Sequence, residues 1–288
     1  MPWESQKASI RDWAGMIDEI NRVITFVGDR TLAWRGHADA SYRLHSTLYR
    51  HLDRGGGVRE STLVSFEQSM LEAARAKWRF DNRGALELMA QFQHLGAPTR
   101  MLDVTFNPLI ALWFAVEPKH EKGKLQADID GRLIAFDVTD RQLNLTSDWG
   151  GRDLPWSTPP SGWHDQLPRV WRPPSYNERI PAQDSAFLLA GVPSGSSRFY
   201  RKHPGDSTNI PPWRLAEVRE VTSVPTKMWS RDFTSLYPRS TPTLTIRIPK
   251  RAKRDIRHVL DRRFGINTSS VYPDMFGLAQ RGWREIEF

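Results

Sequence analysis

Three short clusters of polar residues in the 288-residue chain carry side chains that could bind an anionic ligand. In the first, Trp34-Arg35-Gly36-His37 ends a short apolar run. The guanidinium of Arg35 offers a fixed fork of donors that suits phosphate or ribose oxygens. Gly36 would let a ligand approach the backbone closely. The pattern favours Arg35, Gly36 and His37 as ligand-binding residues, with a surface arginine before a turn as the alternative.

The second cluster runs from Gln91 to Asn107 and alternates polar with apolar residues. The alternation predicts that Asp103 and Thr105 share one face of a strand at the mouth of a pocket. The helix that follows would present its N-terminus beside them, and helix N-termini favour anions. A local ion pair between Arg100 and Asp103, with Thr105 in a turn hydrogen bond, is the alternative. The candidate ligand-binding residues here are His94, Arg100, Asp103 and Asn107.

The third cluster, Asn177 to Phe187, is a polar loop that enters a predicted strand. Such a loop can deliver a third side chain to a site formed by the first two clusters. A purely structural turn is the alternative. The loop contains Glu178, Gln183 and Asp184.

A basic stretch from Lys250 to Phe264 is predicted to form a helix that ends at Gly265. It carries seven lysines and arginines against two aspartates. One side of such a helix could contact nucleic-acid phosphates, and a solvated helix face is the alternative. The candidate nucleic-acid-binding residues are Lys250, Arg251, Lys253, Arg254 and Arg257.

The elements that would position these clusters follow from the spacing of apolar residues. Helical spacing predicts helices over 8–26, 62–78, 86–92, 109–116 and 273–281, and Asn107 and Pro108 fit the N-cap and first position of the fourth. Strands are predicted over 31–36, 133–138, 186–190 and 244–248, with a short apolar run over 100–104. Segments 148–175 and 191–214 are predicted to be long surface loops. Because strict alternation of strand and helix is missing, the pattern indicates a single α+β domain over 1–288, with its core in about 10–282.

Composition narrows the function classes. A formal charge of +8 favours anionic partners such as nucleic acid or phosphorylated metabolites. The chain has no cysteine, no apolar run long enough to span a membrane and no signal-peptide pattern, which together predict a soluble cytoplasmic protein without a membrane partner. The P-loop, G-x-G-x-x-G, H-E-x-x-H and G-x-S-x-G motifs are missing, and no metal is expected from the spacing of the eight histidines.

Taken in order, the clusters resemble the FRG domain family, named for an aromatic-Arg-Gly motif. The resemblance covers about residues 10–282. It is carried by Trp34-Arg35-Gly36, by the stretch 42–50, by the long motif 88–115, by 179–183 with Phe187, and by 272–279. The layout is also similar to that of ADP-ribosyltransferase toxins, which implies a split mixed or antiparallel sheet with flanking helices.

The similarity to those transferases implies roles for three residues. Arg35 would hold the ribose or phosphate of NAD, and Thr105 would support the nicotinamide side. Gln183 would take the position of the polar residue that these transferases carry late in the chain, at the start of a strand. The transferases usually place a glutamate there, whose carboxylate stabilises the charge that develops as nicotinamide leaves. Glu178, Asp184 or Asp103 would supply that carboxylate, or the reaction needs none, or the site binds without catalysing.

The function implied is that of a toxin or phage-defence effector that transfers ADP-ribose from NAD, its substrate, to a macromolecule. Nucleic acid is the acceptor that the positive charge favours, and a neutralising antitoxin or a chaperone would be a partner. The alternative is a nucleic-acid-binding or nucleolytic defence module without NAD chemistry. A sensor domain that binds a nucleotide without turnover is a third interpretation.

Overall fold

The computed structural model describes residues 10–55, 57–80, 82–121, 124–125, 129–143, 153–157, 159, 163, 167–193, 214–228 and 241–285. Much of the two predicted long loops lies outside these residues. The helices within them are α1 (Trp13–Val27), α2 (Thr47–Leu52), α3 (Glu60–Ala76), α4 (Ala85–His94), α5 (Pro108–Val116), α6 (Arg179–Ala182), α7 (Leu215–Val221), α8 (Lys250–Phe264), α9 (Thr268–Val271) and α10 (Met275–Gln280), followed by a 3₁₀ turn over Gly282–Glu285.

The described strands are β1 (Leu32–His37), β2 (Leu102–Thr105), β3 (His120–Glu121), β4 (Lys124–Leu125), β5 (Gly131–Asp137), β6 (Arg169–Trp171), β7 (Ser185–Leu189), β8 (Thr226–Met228) and β9 (Thr241–Ile248). Seven of them form one sheet in the order β6-β7-β2-β1-β5-β9-β8. Neighbouring strands are antiparallel except β8 and β9, which are parallel. The mixture of helices with a mainly antiparallel sheet confirms the predicted α+β class.

The sheet is nearly divided in its middle. Strand β1 pairs with β5 over six positions and β2 pairs with β7 over four, but β1 and β2 pair only at Trp34 and Thr105. Beyond that pair the ladder does not continue, so the residues after Trp34 and those before Thr105 are not joined by strand pairing. The sheet therefore consists of a three-stranded and a four-stranded part that meet at one position.

Helix α5 occupies the centre of the fold. Its sequence Pro108–Val116 contains no charged residue, and it packs against β1, β2, β5 and α8. A helix that is apolar all round is expected to be buried on all sides. With α1 and α8 it covers one face of the sheet, where it shares a core with Trp34 and Leu133. A second core on the other face contains Val104 and Phe136.

The elements with strong periodic patterns are confirmed to within a few residues. Asn107 caps α5 through its Oδ1, which accepts a hydrogen bond from the backbone N–H of Leu109 at 2.9 Å, and Pro108 is the first helical residue. Helix α8 spans the predicted 250–264 and ends at Gly265 in the left-handed conformation. Helices α2, α6, α7 and α9 and strands β3, β4, β6 and β8 were not predicted. None of the described helices is long and apolar enough to cross a membrane.

Candidate functional site

A cleft of about 960 Å³ opens where β1 and β2 cease to pair. Its walls come from four separate stretches of the chain, which lie within 34–53, 90–117, 176–187 and 272–281. The predicted site residues that line it are Arg35, Gly36, His37, His94, Asp103, Thr105 and Gln183. The three polar clusters of the sequence thus meet at one cleft.

Arg35 bridges the two strands on either side of the opening. Its NH1 donates a 2.5 Å hydrogen bond to the backbone oxygen of Asp103, and the same nitrogen lies 3.7 Å from the carboxylate of that residue. Burial lowers the pKa of Arg35 and the charge of Arg50 lowers it further, while Asp103 acts in the opposite direction. An arginine stays charged at neutral pH even so, so Arg35 supplies a fixed cation in the cleft.

His37 is the neutral partner of Arg35. Burial, followed by the charges of Arg35, Arg132 and Arg50, holds its pKa well below the usual value. Its Nε2 accepts a 3.0 Å hydrogen bond from Nε of Arg35, which requires that this nitrogen carry no proton. His37 therefore positions the guanidinium and adds no charge.

Gly36 serves a purpose besides the one predicted. A Cβ at this position would lie 2.0 Å from the backbone oxygen of Ala111 and 2.5 Å from the nitrogen of Ala115. The close approach that glycine permits is therefore that of helix α5 to β1. Gly36 also lines the cleft, so its predicted contact with a ligand stays a prediction.

The N-terminus of α5 is satisfied by its own neighbours. The hydroxyl of Thr105 accepts a 3.0 Å hydrogen bond from the N–H of Asn107, and the side chain of Asn107 caps the next free N–H. Asn107 does not line the cleft. Its predicted role as a ligand-binding residue is replaced by that of a helix cap, whereas Thr105 faces the cleft from the end of β2.

Gln183 lies at the predicted late position, beside the start of β7. Its Nε2 donates a 2.8 Å hydrogen bond to the backbone oxygen of Val271, and its Oε1 accepts one from Ser185 at 3.4 Å. Glu178 is exposed and does not line the cleft, and Asp184 pairs with Arg172 at 2.7 Å. Of the three carboxylates considered for catalysis, Asp103 is the one that lines the cleft.

Asp103 presents its carboxylate to the opening. The side chain is 67% exposed, and its Oδ1 accepts a 2.6 Å hydrogen bond from Gln93. Leu102 and Val104 on either side of it are buried in the sheet core, which is the alternation that the sequence predicted. The alternative interpretation of this cluster holds in part. The ion pair between Arg100 and Asp103 is wrong, because Asp103 pairs with Arg35, whereas the turn hydrogen bond of Thr105 is confirmed.

Arg100 lies in a buried ion network away from the cleft. Its guanidinium binds Glu67 through Nε at 2.7 Å and through NH2 at 2.6 Å, and binds Glu60 through NH1 at 2.6 Å. The side chains of Arg100 and Glu67 are both 1% exposed. Arg100 does not line the cleft, so the prediction that it binds a ligand is wrong, and its role is to join α3 to the segment just before β2.

His94 belongs to a cluster that closes the other end of the cleft. Its Nε2 lies 3.8 Å from the carboxylate of Asp274, which also binds NH2 of Arg179 at 2.7 Å. Burial alone would raise the pKa of Asp274, but the hydrogen bonds from Arg179 and from the N–H of Gly277 hold it below the ordinary value. Burial and the charge of Arg179 lower the pKa of His94.

Several functional candidates were missed in the sequence. Arg179 lies above the rings of Tyr272 and Phe276, at 5.1 and 5.2 Å. Arg43 and Arg50 line the opposite end of the cleft. Arginine and aromatic residues within the motifs 42–50 and 272–279 were a usable signal, because such residues are suited to anion binding and to stacking.

The basic helix α8 is only partly available to a nucleic acid. Lys250, Arg251 and Arg254 are exposed. Lys253 is 1% exposed and donates a 2.7 Å hydrogen bond to the backbone oxygen of Ala38, and NH1 of Arg257 donates to the backbone oxygen of Val116 at 2.6 Å. Lys253 and Arg257 therefore anchor α8 to the domain, which corrects their prediction as phosphate contacts.

Two of the four stretches that line the cleft, 34–53 and 90–117, lie in a segment that matches a known family. Residues 30–124 match the FRG domain family. This FRG segment contains Arg35, Asp103 and Thr105, and the match supports the FRG resemblance of the sequence. The later motifs, 179–183 and 272–279, lie outside the matched FRG segment. No curated protein and no solved structure matches the chain.

Proposed function

We propose that the cleft binds NAD and that the protein transfers ADP-ribose from it to a macromolecule. The observation that carries the proposal is the meeting of three residues at one cleft of a sheet that parts between β1 and β2: Arg35 of β1, Thr105 of β2, and Gln183 just before β7. The layout resembles that of ADP-ribosyltransferases. A lining of five arginines and three carboxylates also suits an anionic substrate.

In the proposed reaction, the bond between C1′ of the ribose and the nicotinamide nitrogen breaks, and nicotinamide leaves with both electrons of that bond. A nucleophile of the acceptor then bonds to C1′ and releases its proton to solvent. The positive charge that develops on the ribose is stabilised by a fixed carboxylate. Asp103 takes this role, since Gln183 carries no charge and the exposed Glu178 lies outside the cleft.

The other residues hold the substrate in place. Arg35 donates to ribose or phosphate oxygens with a guanidinium that His37 and the backbone of Asp103 already orient. Such preorientation lowers the entropy that must be lost on binding. Thr105 and Gln183 line the nicotinamide side, where Gln183 is itself tethered to Val271.

The test is incubation of the purified protein with labelled NAD, alone and with RNA, DNA or protein extract. Released nicotinamide and label on macromolecules are both followed. Wild-type protein is expected to label one class of acceptor. Asp103→Asn is expected to lower turnover by about 100-fold or more, the effect of losing one electrostatic stabiliser, whereas Glu178→Gln, the matched loss of a carboxylate outside the cleft, should leave it unchanged.

Arg35→Gln removes the fixed cation and is expected to abolish labelling without unfolding the protein, as checked by circular dichroism. Labelling that persists in Arg35→Gln contradicts the assignment of the site. The absence of NAD binding and turnover with every acceptor contradicts the transferase proposal as a whole.

A second candidate function, nucleic-acid binding without NAD chemistry, rests on the exposed cations Lys250, Arg251 and Arg254 of α8. It requires an affinity for nucleic acid that falls steeply with salt. It also requires that the double variant Arg251→Gln with Arg254→Gln lower the affinity for nucleic acid more than Arg35→Gln does. The same set of variants therefore separates the two functions.

A further inference from the structure

The arginines that line the cleft differ in whether a carboxylate already neutralises them. Among the described residues there are five: Arg35, Arg43, Arg50, Arg179 and Arg281. Three form ion pairs, namely Arg35 with Asp103, Arg179 with Asp274 and Arg281 with Glu117. Arg43 and Arg50 have no ion-pair partner in the described part of the chain. Two cations at one end of the cleft are thus available to an external anion.

Arg50 is held firmly in this position. It lies in the last turn of α2, and its NH1 donates a 2.5 Å hydrogen bond to the backbone oxygen of His45. Helix α2 is fixed in turn by its N-cap Ser46 and by a 3.0 Å backbone hydrogen bond from Leu48 to Thr99. The remaining donors of Arg50 are therefore presented from a rigid support.

Arg50 shares its surroundings with Arg35, and Arg43 shares those of His45 with Arg50. The charge of Arg50 lowers the pKa of both Arg35 and His37, and the charges of Arg43 and Arg50 both lower that of His45. Mutual repulsion of this kind is relieved when an anion binds between the cations.

The carboxylates at this end do not cancel the arginines. Asp53 and Asp103 line it, so two negative side chains face three positive ones. Asp53 accepts hydrogen bonds from the backbone of Gly55 and Gly57 through Oδ1, and Asp103 accepts one from Gln93. Asp103 opposes the effect of burial on the pKa of Arg50, but among the described residues neither carboxylate forms an ion pair with Arg43 or Arg50.

We infer that Arg43 and Arg50, together with Arg35, form a subsite for the diphosphate of a nucleotide. The inference rests on the proposed function in that it places the diphosphate of NAD at this end of the cleft. Each guanidinium offers a planar pair of donors that matches two oxygens of one phosphoryl group. Two unpaired arginines beside Arg35 therefore suit two linked phosphates better than a single one.

The test measures binding of ADP, AMP and adenosine by isothermal titration calorimetry. Wild-type protein is expected to bind ADP more tightly than AMP, and AMP more tightly than adenosine, with an ADP affinity that falls as salt is added. Arg43→Gln and Arg50→Gln are each expected to weaken ADP binding by about tenfold, the loss of one charge-assisted hydrogen bond. The affinity for adenosine should not change.

A matched control is Arg251→Gln, which removes one exposed arginine outside the cleft and should leave ADP affinity unchanged. Because the side chain of Arg43 makes no hydrogen bond within the described residues, Arg43→Gln keeps the test valid even if Arg50→Gln were to disturb α2. The subsite is contradicted if ADP binds no better than adenosine, or if both cleft variants bind ADP as the wild type does.

The outcome separates this inference from the proposed function. ADP binding that depends on Arg43 and Arg50, without any turnover of NAD, would support the subsite and contradict the transferase. Turnover of NAD that does not respond to either substitution would support the transferase and contradict the subsite.

Discussion

Arg100 connects three parts of the chain that are distant in sequence. Its guanidinium binds Glu60 and Glu67 of α3 and lies 4.3 Å from the ring centre of Trp156, whose indole N–H donates to Glu67 at 2.7 Å. Glu60 also accepts a hydrogen bond from the backbone N–H of Val192 at 2.9 Å. Because each buried charge has a partner, the cost of removing them from water is offset within the network.

Glu67→Gln is expected to lower the free energy of unfolding by about 3 kcal/mol or more, because it leaves the buried guanidinium of Arg100 without its main counter-charge. Urea unfolding followed by circular dichroism measures the change. Glu87→Gln is the control, since the pair of Glu87 with Arg83 is exposed, at 3.7 Å, and should contribute less than about 1 kcal/mol. Equal effects of the two substitutions would contradict the structural role given to Arg100.

The sequence could indicate Arg35 and Asp103 as site residues, because an arginine at a strand end and an alternating polar strand are local patterns. It could not indicate the partner of Arg100. The nearest carboxylate in sequence is Asp103, whereas the true partner, Glu67, lies 33 residues away on another helix. Ion pairs between distant elements depend on how those elements pack, which no local pattern contains.

Strand β1 and helix α5 meet more closely than side chains would normally allow. The backbone of α5 occupies the space that a side chain would need at Gly36 of β1 and at Gly131 of β5. A Cβ added at Gly36 would lie 2.0 Å from the backbone oxygen of Ala111, and one added at Gly131 would lie 2.2 Å from that of Ala115. The contact sets the height of α5 above the sheet. It also sets where Phe114, which lines the cleft, is presented.

Gly36→Ala is expected to destabilise the fold by about 2 kcal/mol or more, because backbone atoms of α5 must move away from β1 to admit the new methyl group. Thermal unfolding measures the loss. Gly282→Ala is the control, since an added Cβ there would meet only the end of the flexible Leu278 side chain at 3.1 Å. An unchanged melting temperature in Gly36→Ala would contradict the tight contact between β1 and α5.

Elements with a clear apolar pattern could be predicted from the sequence, whereas short elements without one, such as α2, α9 and β6, could not. Helices α5 and α8 have caps and apolar spacing that decide them locally, through Asn107, Pro108 and Gly265. Strand β6 has three residues and lies within a Pro-rich stretch, so its conformation is set by pairing with β7. The gap between β1 and β2 also leaves no local signal, because it depends on the register of strands that are far apart in sequence.

The whole protein is expected to lose stability in mild acid. Burial, and then the charges of Arg43 and Arg50, lower the pKa of His45 to about 4, against an opposing hydrogen bond with the backbone oxygen of Arg219. Between pH 6.5 and 4 the unfolded chain binds a proton at this histidine and the folded protein does not. The free energy of unfolding must therefore fall as the pH is lowered through that range.

His45→Gln is expected to reduce this pH dependence by up to about 1.4 kcal/mol per pH unit, the contribution of one proton. Urea unfolding at several pH values between 7 and 4 measures the slope. His258→Gln, which removes an exposed histidine of α8, is the comparison variant. A slope that His45→Gln does not alter would show that other groups govern acid unfolding.

The residues that line the cleft lie partly inside and partly outside the segment that matches the FRG domain family. The cationic end of the cleft, with Arg35, Arg43 and Arg50, lies inside the 30–124 segment, whereas the walls from 176–187 and 272–281 lie outside it. Changing only the residues of those later stretches would therefore reshape one half of the cleft and leave the side chains of its cationic half in place.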